Sequence, residues 1–261
     1  MPLEYLKIQN GRNLKELVLE PHKNFNIIFG ANGTGKTTIL ESIYLLLRAR
    51  TFRSNKFKSF INFNENSCTV FSKFNYTDNS QFQESFTIGI SRSKNFSQPV
   101  IHLNSKKINK LSNITNLVIL GLITPESFTL LDSGPGIRRK FIDWGVFHVE
   151  QSFLSDWRSY KKVLSNRNSL LASYSKKYKF SKEISNNQRN LINCWDNQLI
   201  SFNNKLDKVR SNQVNNIKNY FNEFLTCFSK NLADNISLKF YRGWNKELSY
   251  KDYLEEKINE D

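Results

Sequence analysis

The sequence has little of what builds disulfide frameworks, zinc sites or membrane spans. It contains three cysteines and three histidines in 261 residues, and their scattered spacing supports neither a zinc site nor a set of disulfides. These residues are Cys68, Cys194, Cys227, His22, His102 and His148. No run of about 18 apolar residues could cross a membrane, and the first residues lack the basic and apolar regions of a signal peptide. We therefore expect a reduced, cytoplasmic protein without a membrane partner.

Acidic residues, glycine and proline are also scarce. Lys and Arg number 38 against 23 Asp and Glu, which gives a formal net charge of +15, and there are 10 Gly and 5 Pro. A basic excess of this size favours a polyanionic partner, and nucleic acid is the one we expect. An AT-rich genome would impose the same richness in Lys, Asn, Ile and Phe whatever the function. Charge alone therefore leaves both interpretations open.

The most informative feature that is present is the glycine loop Gly30-Ala-Asn-Gly-Thr-Gly-Lys-Thr37. It matches the pattern G-x-x-x-x-G-K-[ST], which binds the phosphates of nucleoside triphosphates. Its glycines allow a close backbone approach to an anion, and the N-terminus of the following helix attracts negative charge. We predict that the loop holds ATP and Mg²⁺. The residues predicted to bind the nucleotide are Gly30, Ala31, Asn32, Gly33, Thr34, Gly35, Lys36, Thr37 and Thr38.

Two of these residues have individual roles in the motif. Lys36 adds a positive charge for the β- and γ-phosphates, and the Thr37 hydroxyl is placed to ligate Mg²⁺. The flanking residues favour the same interpretation, since the apolar run 25–29 predicts a strand before the loop. Residues 38–48 predict a helix, with Ile39, Ile43, Leu46 and Leu47 on one face. The alternative is a glycine turn that caps a helix beside an incidental lysine.

The remaining sequence suggests two further regions. Alternating segments predict strands within 1–112, at 3–8, 14–19, 67–76, 81–90 and 99–104, with a turn at 77–80. We interpret 1–112 as the ATP-binding lobe and 113–233 as a helical lobe. In the latter, residues 183–231 contain no Pro or Gly and carry an apolar stripe. As one helix this segment would span about 70 Å, unless it breaks near Ser211. Ile236, Leu238 and Phe240 alternate, so 234–261 are expected to return to the first lobe through a strand.

Three stretches of sequence resemble the bacterial RecF family of DNA replication and repair proteins. The first runs from Leu6 to Thr38 and includes the glycine loop, and the second is Arg50-Thr-Phe-Arg53. The third is the most specific. It contains Pro125, Glu126, Leu130, Leu131, Gly134, Pro135, Arg138, Arg139, Phe141, Ile142 and Asp143. Gly11 and Ser133 depart from the family pattern, where an aromatic residue and a glycine are usual.

The resemblance implies an α/β fold, a P-loop ABC-type ATPase head with flanking antiparallel strands and an inserted helical lobe II. It also implies an ATP-dependent homodimer, in which the loop of one head faces the signature loop of the other. The implied partners are single-stranded and gapped duplex DNA and recombination-mediator proteins, and the outcome is recombinase loading. Family members continue with an ABC signature loop and Walker-B carboxylates, which do not appear before Asp261. We therefore expect nucleotide binding, and we leave open both hydrolysis by this polypeptide and whether it is part of a longer protein.

Several basic residues are candidate contacts for nucleotide or DNA. Arg12 and Asn13 precede the loop as the family's Arg-Asn does, and they either lie near the nucleotide or form a strand-end turn. Arg50 and Arg53 belong to the basic cluster 48–58, which we predict to contact a phosphate backbone. We interpret the second basic cluster, 176–179, as solvated surface charge.

Other candidate contacts carry an open alternative. Arg138 and Arg139 follow a Gly-Pro turn at the start of a helix. They either contact phosphate or the other lobe, or they are surface arginines or arginines that brace the helical lobe. Phe52 lies between two arginines, and we favour packing over base stacking for it.

Two other functional classes stay open at this point. One is a nucleotide-binding scaffold without hydrolysis, which a measurement of ATP turnover with DNA would separate from a repair ATPase. The other is a P-loop kinase or a transporter ATPase subunit, which salt-sensitive DNA binding would exclude.

Overall fold

The computed structural model describes residues 2–54, 57–77, 83–177, 185–245 and 248–260. The chain divides into two compact units, Met1–Leu122 and Ile123–Asp261. We describe each unit by itself. The functional lobes 1–112, 113–233 and 234–261 stay predictions, since compactness does not test them.

The first unit is built on a six-stranded antiparallel sheet with the order β2-β1-β3-β4-β5-β6. The strands are β1 Leu3–Gly11, β2 Leu14–Leu19, β3 Ser67–Thr77, β4 Gln83–Ser93, β5 Val100–Leu103 and β6 Lys106–Ile108. The helix α1, Lys36–Arg48, begins at the glycine loop, and the short α2, Ser112–Thr115, follows the sheet. These elements confirm the strands and the helix expected from the alternation of apolar residues, although residues 78–82 of the predicted turn and strand lie outside the described part.

Side chains of one sheet face form the core of this unit. Ile8 of β1 pairs with Val70 of β3, and Val70 pairs with Ile90 of β4. All three are buried, and the pattern follows from the two-residue period of a strand. Leu45 and Leu46 of α1 belong to the same buried cluster. The helix that carries the end of the glycine loop is therefore held on the sheet.

The predicted strand at residues 25–29 is wrong. The described residues include no strand that pairs with this segment, and Phe25, Ile27 and Phe29 are exposed. An apolar run indicates a strand only where a neighbouring strand supplies the hydrogen-bonding partners. The segment still leads directly into the glycine loop.

The second unit is helical. Its helices are α3 Thr129–Asp132, α4 Pro135–Val149, α5 Phe153–Lys177, α6 Asn186–Phe228, α7 Lys230–Asn235 and α8 Tyr250–Glu260. Val163, Leu199 and Leu254 form one buried cluster, which joins α5, α6 and α8. Val146, Phe153 and Leu206 form another, which joins α4, α5 and α6. Within the described residues no helix is both apolar and long enough to span a membrane.

Helix α6 settles the alternative that the sequence left open, since it does not break near Ser211. It runs without interruption over 43 residues from Asn186 to Phe228, which corresponds to about 65 Å. A capping box at its start, formed by Ser185 and Gln188, satisfies backbone donors that the helix leaves unpaired. The polar residues near position 211 do not end the helix because buried apolar positions continue on both sides of them.

The predicted strand at Ile236–Phe240 is also wrong, since these residues form no strand. Ile236 is exposed, and α8 instead packs within the helical unit through Leu254. Alternation over five residues is short enough to arise without a sheet to pair with. The basic cluster 176–179 lies partly outside the described residues, so its interpretation as surface charge stays a prediction.

Candidate phosphate-binding site

The glycine loop adopts backbone conformations that favour glycine. Gly33 and Gly35 have φ angles of 84° and 100°, in the left-handed region that side chains disfavour. A Cβ atom built on Gly33 would meet no atom within 4 Å, whereas one on Gly35 would lie 2.8 Å from Leu14 Cδ2. The sequence therefore needs glycine at 33 for its conformation, and at 35 for both conformation and close packing.

Lys36 lies folded over the start of the loop. Its Nζ donates hydrogen bonds to the carbonyl oxygens of Gly30 at 2.8 Å and Ala31 at 2.7 Å. The Thr34 hydroxyl also donates to the Ala31 carbonyl, at 2.9 Å. An ammonium group has three donors and no acceptor, so Lys36 retains the capacity to bind an anion held by the loop.

The N-terminus of α1 adds backbone donors at the same place. Its first hydrogen bond runs from Ile39 N to the Gly35 carbonyl, so the N–H groups of Lys36, Thr37 and Thr38 have no partner in the preceding turn of the helix. The N-cap residue is Gly35, which has no side chain to satisfy them, and the first turn contains no acidic residue. Unpaired donors, the positive end of the helix dipole and an ammonium group together suit a phosphate chain.

Thr37 fits the role predicted for Mg²⁺. It is half-buried at the start of α1, where its hydroxyl belongs to the turn that would face the phosphates. Magnesium keeps several waters and phosphate oxygens as ligands, and a site of this type needs few protein oxygens. The residues of the loop therefore fit Mg²⁺ bound together with a triphosphate.

The turn between β1 and β2 contacts the loop from one side. Asn13 Nδ2 donates to the Gly33 carbonyl at 2.8 Å, and the Thr38 hydroxyl donates to Asn13 Oδ1 at 3.3 Å. Arg12 Nη2 lies 2.8 Å from Oε2 of Glu41, a fully buried carboxylate of α1. Arg12 and Asn13 thus form a strand-end turn, and this turn contacts the loop and α1. Their position near a nucleotide stays a prediction.

The sequence did not indicate Glu41 as part of the site. In the structure, Thr38, Glu41, Ser42 and Leu45 of α1 are buried, whereas the apolar face predicted from the sequence consisted of Ile39, Ile43, Leu46 and Leu47. A carboxylate on a buried helix face requires a cationic partner, and the fold supplies Arg12 as that partner.

The basic segment after α1 combines exposed and buried cations. Arg50 and Arg53 are exposed. Partial burial lowers the pKa of Arg48, and the nearby charge of Arg50 lowers it further. Phe52 packs edge to face on Tyr44, with ring centroids 5.5 Å apart, as the packing interpretation expects. The two exposed arginines stay available for the predicted contact with phosphates.

Arg92 is a buried cation that the sequence did not indicate. It donates hydrogen bonds to the carbonyls of Ala49 and Ser97, and its guanidinium lies 4.3 Å from the centre of the Phe57 ring. Because Ala49 caps the C-terminus of α1, this contact places a positive charge at the negative end of the helix dipole.

In the second unit, Arg138 and Arg139 are exposed near the N-terminus of α4. Arg138 Nη1 donates to the Ser133 carbonyl at 2.6 Å, which ties it to the turn before the helix. Asp143, further along α4, accepts two hydrogen bonds from Arg210 of α6, at 2.7 and 2.9 Å. Asp143 therefore connects α4 to α6, whereas Arg138 and Arg139 place positive charges at the surface.

An antiparallel sheet beside a glycine loop that opens a helix, followed by a helical unit, defines the class of protein: a nucleotide-binding head of the P-loop type. Residues 2–195 match the family model described as the RecF/RecN/SMC N-terminal domain. The chain belongs to this family.

Individual proteins with similar sequences belong to the same family. The chain is 33% identical over 261 residues to the DNA replication and repair protein RecF of Pseudomonas syringae pv. syringae (strain B728a), covering 100% of this chain and 66% of the relative. It is 34% identical over 255 residues to RecF of Pseudoalteromonas translucida (strain TAC 125), covering 98% and 65%. The chain thus spans just under two thirds of the length of these relatives.

A solved structure extends the similarity to three dimensions. The structure of the recombination mediator protein RecF with ATP, in the RecFOR pathway, superimposes with a TM-score of 0.71 at 28% identity. It covers 99% of this chain, which in turn covers 65% of the solved one. The predicted fold class, an α/β ABC-type head with antiparallel strands and a helical lobe, is confirmed.

Proposed function

We propose that this chain binds MgATP through the loop 30–38 and acts in DNA replication and repair. The observation that carries the proposal is the convergence of Lys36, the left-handed glycines and the unpaired N–H groups of α1 at one end of the helix. ATP is supported as the nucleotide by the similarity to the RecF–ATP structure. Replication and repair are supported by the names of the relatives.

The binding of MgATP can be tested by calorimetric titration of Lys36→Ala. We expect its affinity for MgATP to fall at least about 100-fold, since the charge that pairs with the β- and γ-phosphates is lost. The exposed Lys106 of β6, outside the loop, provides the matched control Lys106→Ala. Equal affinities in the wild type and Lys36→Ala, with both folded, would overturn the assignment of the loop.

DNA is the proposed partner, in single-stranded and gapped duplex form. The support is the net charge of +15 together with the exposed Arg50 and Arg53 in unit one and Arg138 and Arg139 in unit two. Each phosphate contact should contribute to a steep fall of affinity with salt. DNA affinity measured across a salt series tests this, and affinity that is independent of salt would contradict it.

We further propose an ATP-dependent homodimer that works with recombination-mediator proteins to load a recombinase. This follows the family resemblance, and it assigns the loop to one half of a shared nucleotide site. Sedimentation with and without MgATP tests dimer formation. ATP turnover with gapped DNA then separates a hydrolysing repair protein from a nucleotide-binding scaffold.

A further inference from the structure

The turn between β1 and β2 contacts the glycine loop and α1 through three consecutive residues. Asn13 bonds to the Gly33 carbonyl and to the Thr38 hydroxyl. The Leu14 side chain lies against Gly35, so close that a Cβ on that glycine would be 2.8 Å away. Arg12 pairs with Glu41 one turn further along α1. Each residue of the turn therefore fixes a different part of the phosphate-binding segment.

The turn itself is fixed from the other side. The backbone N–H of Arg12 donates to the Phe60 carbonyl at 2.7 Å, and Asn62 N donates to the Asn10 carbonyl at 2.9 Å. Arg12 has a φ of 49°, a conformation that a non-glycine residue adopts where its surroundings require it. The turn is thus held between the sheet end and the segment 57–62.

The contact of Asn13 has a direct consequence for the loop. In a planar trans peptide the C=O and the following N–H point in opposite directions. Because the Gly33 carbonyl points towards Asn13, the Thr34 N–H points away from the turn. Without the amide of Asn13, the peptide that follows Gly33 would rotate more freely, since glycine permits many backbone conformations.

The contact of Arg12 with Glu41 favours a supporting role for this residue over a contact with phosphate. Its Nη2 atom is 3.0 and 2.8 Å from the two Glu41 oxygens. Glu41 is fully buried, and a buried carboxylate without a cation is costly. Withdrawing Arg12 to meet a phosphate would leave that charge unpaired, so Arg12 is better placed as a support.

We propose that Arg12, Asn13 and Leu14 are positioning residues, which preform the phosphate loop by holding Gly33, Gly35 and Glu41 and do not contact the nucleotide. The proposal rests on the proposed function and deepens it. It predicts that phosphate affinity depends on the turn even when Lys36 and every loop residue are intact.

The first test uses Asn13→Ala, a change at an exposed residue. We expect the affinities for MgATP and for inorganic tripolyphosphate to fall together by about tenfold, because the loop is no longer preorganised. Asn104→Ala is the matched control, since Asn104 also bonds to backbone, at Thr87 N, between β5 and β6. The control should lose no phosphate affinity, and wild-type affinity in Asn13→Ala would overturn the proposal.

The second test separates support from direct contact by comparing Arg12→Ala, Glu41→Gln and the double variant. If Arg12 acts through Glu41, the losses in MgATP affinity of the two single variants do not add up in the double variant. The double variant then binds MgATP with the same affinity as the single variant that binds it more weakly. Additive losses, or full affinity in Glu41→Gln, would show that Arg12 contacts the nucleotide and would overturn this assignment.

A measurement on the ligand-free protein tests the positioning role of the turn separately from nucleotide binding by the loop. In amide NMR spectra of the ligand-free protein, Asn13→Ala should shift and broaden the Gly33 and Gly35 signals, and Asn104→Ala should not. If the wild type binds neither MgATP nor tripolyphosphate, the proposed function fails while this readout still tests the turn. Unchanged loop signals in Asn13→Ala would overturn the positioning role on their own.

Discussion

The ion pair Arg12–Glu41 lies beside a ligand loop in the first unit, whereas Arg167–Asp196 joins two long helices in the second. Both pairs contain a buried carboxylate, and Arg167 is buried as well. The first unit has a large apolar core, and the second has two small apolar clusters. We therefore expect the first pair to support the phosphate loop and the second to stabilise the packing of two helices.

The largest effect is expected for Asp196→Ala in the helical unit. The change leaves Arg167 buried without its partner, so the free energy of unfolding should fall by about 3–5 kcal/mol, as urea titration would measure. MgATP affinity below the unfolding transition should stay unchanged. Asp207→Ala is the control, because its partner Arg242 is 43% exposed, and about 1 kcal/mol or less is expected there. Equal losses in the two variants would contradict the structural use of the buried pair.

A smaller loss of unfolding free energy is expected for Gly35→Ala. The variant Gly145→Ala in α4 is its matched control. A Cβ at either position would lie 2.8 Å from a neighbouring side-chain atom. At 35 the backbone is left-handed and the neighbour is Leu14, so we expect a loss of about 2 kcal/mol in unfolding free energy together with weaker MgATP binding. At 145 the neighbour is the flexible end of Gln213, and alanine favours the helix, so the net change should stay within about 0.5 kcal/mol.

Thermal unfolding and MgATP titration of the two glycine variants check this comparison. The same loss of ATP affinity in both would show that a new Cβ at 2.8 Å, and not the geometry of the loop, decides the outcome. An unaffected Gly35→Ala would contradict the tight packing of the turn on the loop.

The smallest effect concerns pH and the buried Cys68 of β3. Burial raises the pKa of its thiol from an ordinary value of 9.0 to about 11. Since the unfolded chain then loses the proton first, the stabilising contribution is complete below pH 9 and is lost as pH rises to 11. The loss should reach about 1.4 kcal/mol at pH 10. The difference between wild type and Cys68→Ala in unfolding free energy, measured from pH 8 to 10, checks this, and a constant difference would contradict it.

Local patterns predicted those features that neighbouring residues determine. The alternation in β1 to β5, the apolar face of α1 and the glycine loop all depend on short-range rules, and each agreed with the structure. The run 25–29 and the segment 236–240 carried the same kind of pattern, yet they form no strand among the described residues. A strand depends on a partner elsewhere in the chain, and a local pattern does not contain that information.

For the candidate site, as for the fold, the sequence predicted local features but not long-range contacts. The glycine motif identified the residues of the proposed phosphate site, while the supports of the loop depend on contacts across 20 or more positions, such as Asn13 with Gly33 and Arg12 with Glu41. No local pattern of residues indicated these contacts. Residues that build a ligand site are thus easier to recognise from sequence than residues that hold it in place.

Hydrogen exchange with and without MgATP can show where the nucleotide binds. We predict slower amide exchange in residues 30–38 on nucleotide binding, where the unpaired donors of α1 acquire phosphate partners. The lysine variant Lys36→Ala should lose this protection, and Lys106→Ala should retain it. Protection by MgATP that leaves residues 30–38 unchanged would contradict the assignment of the nucleotide to this loop.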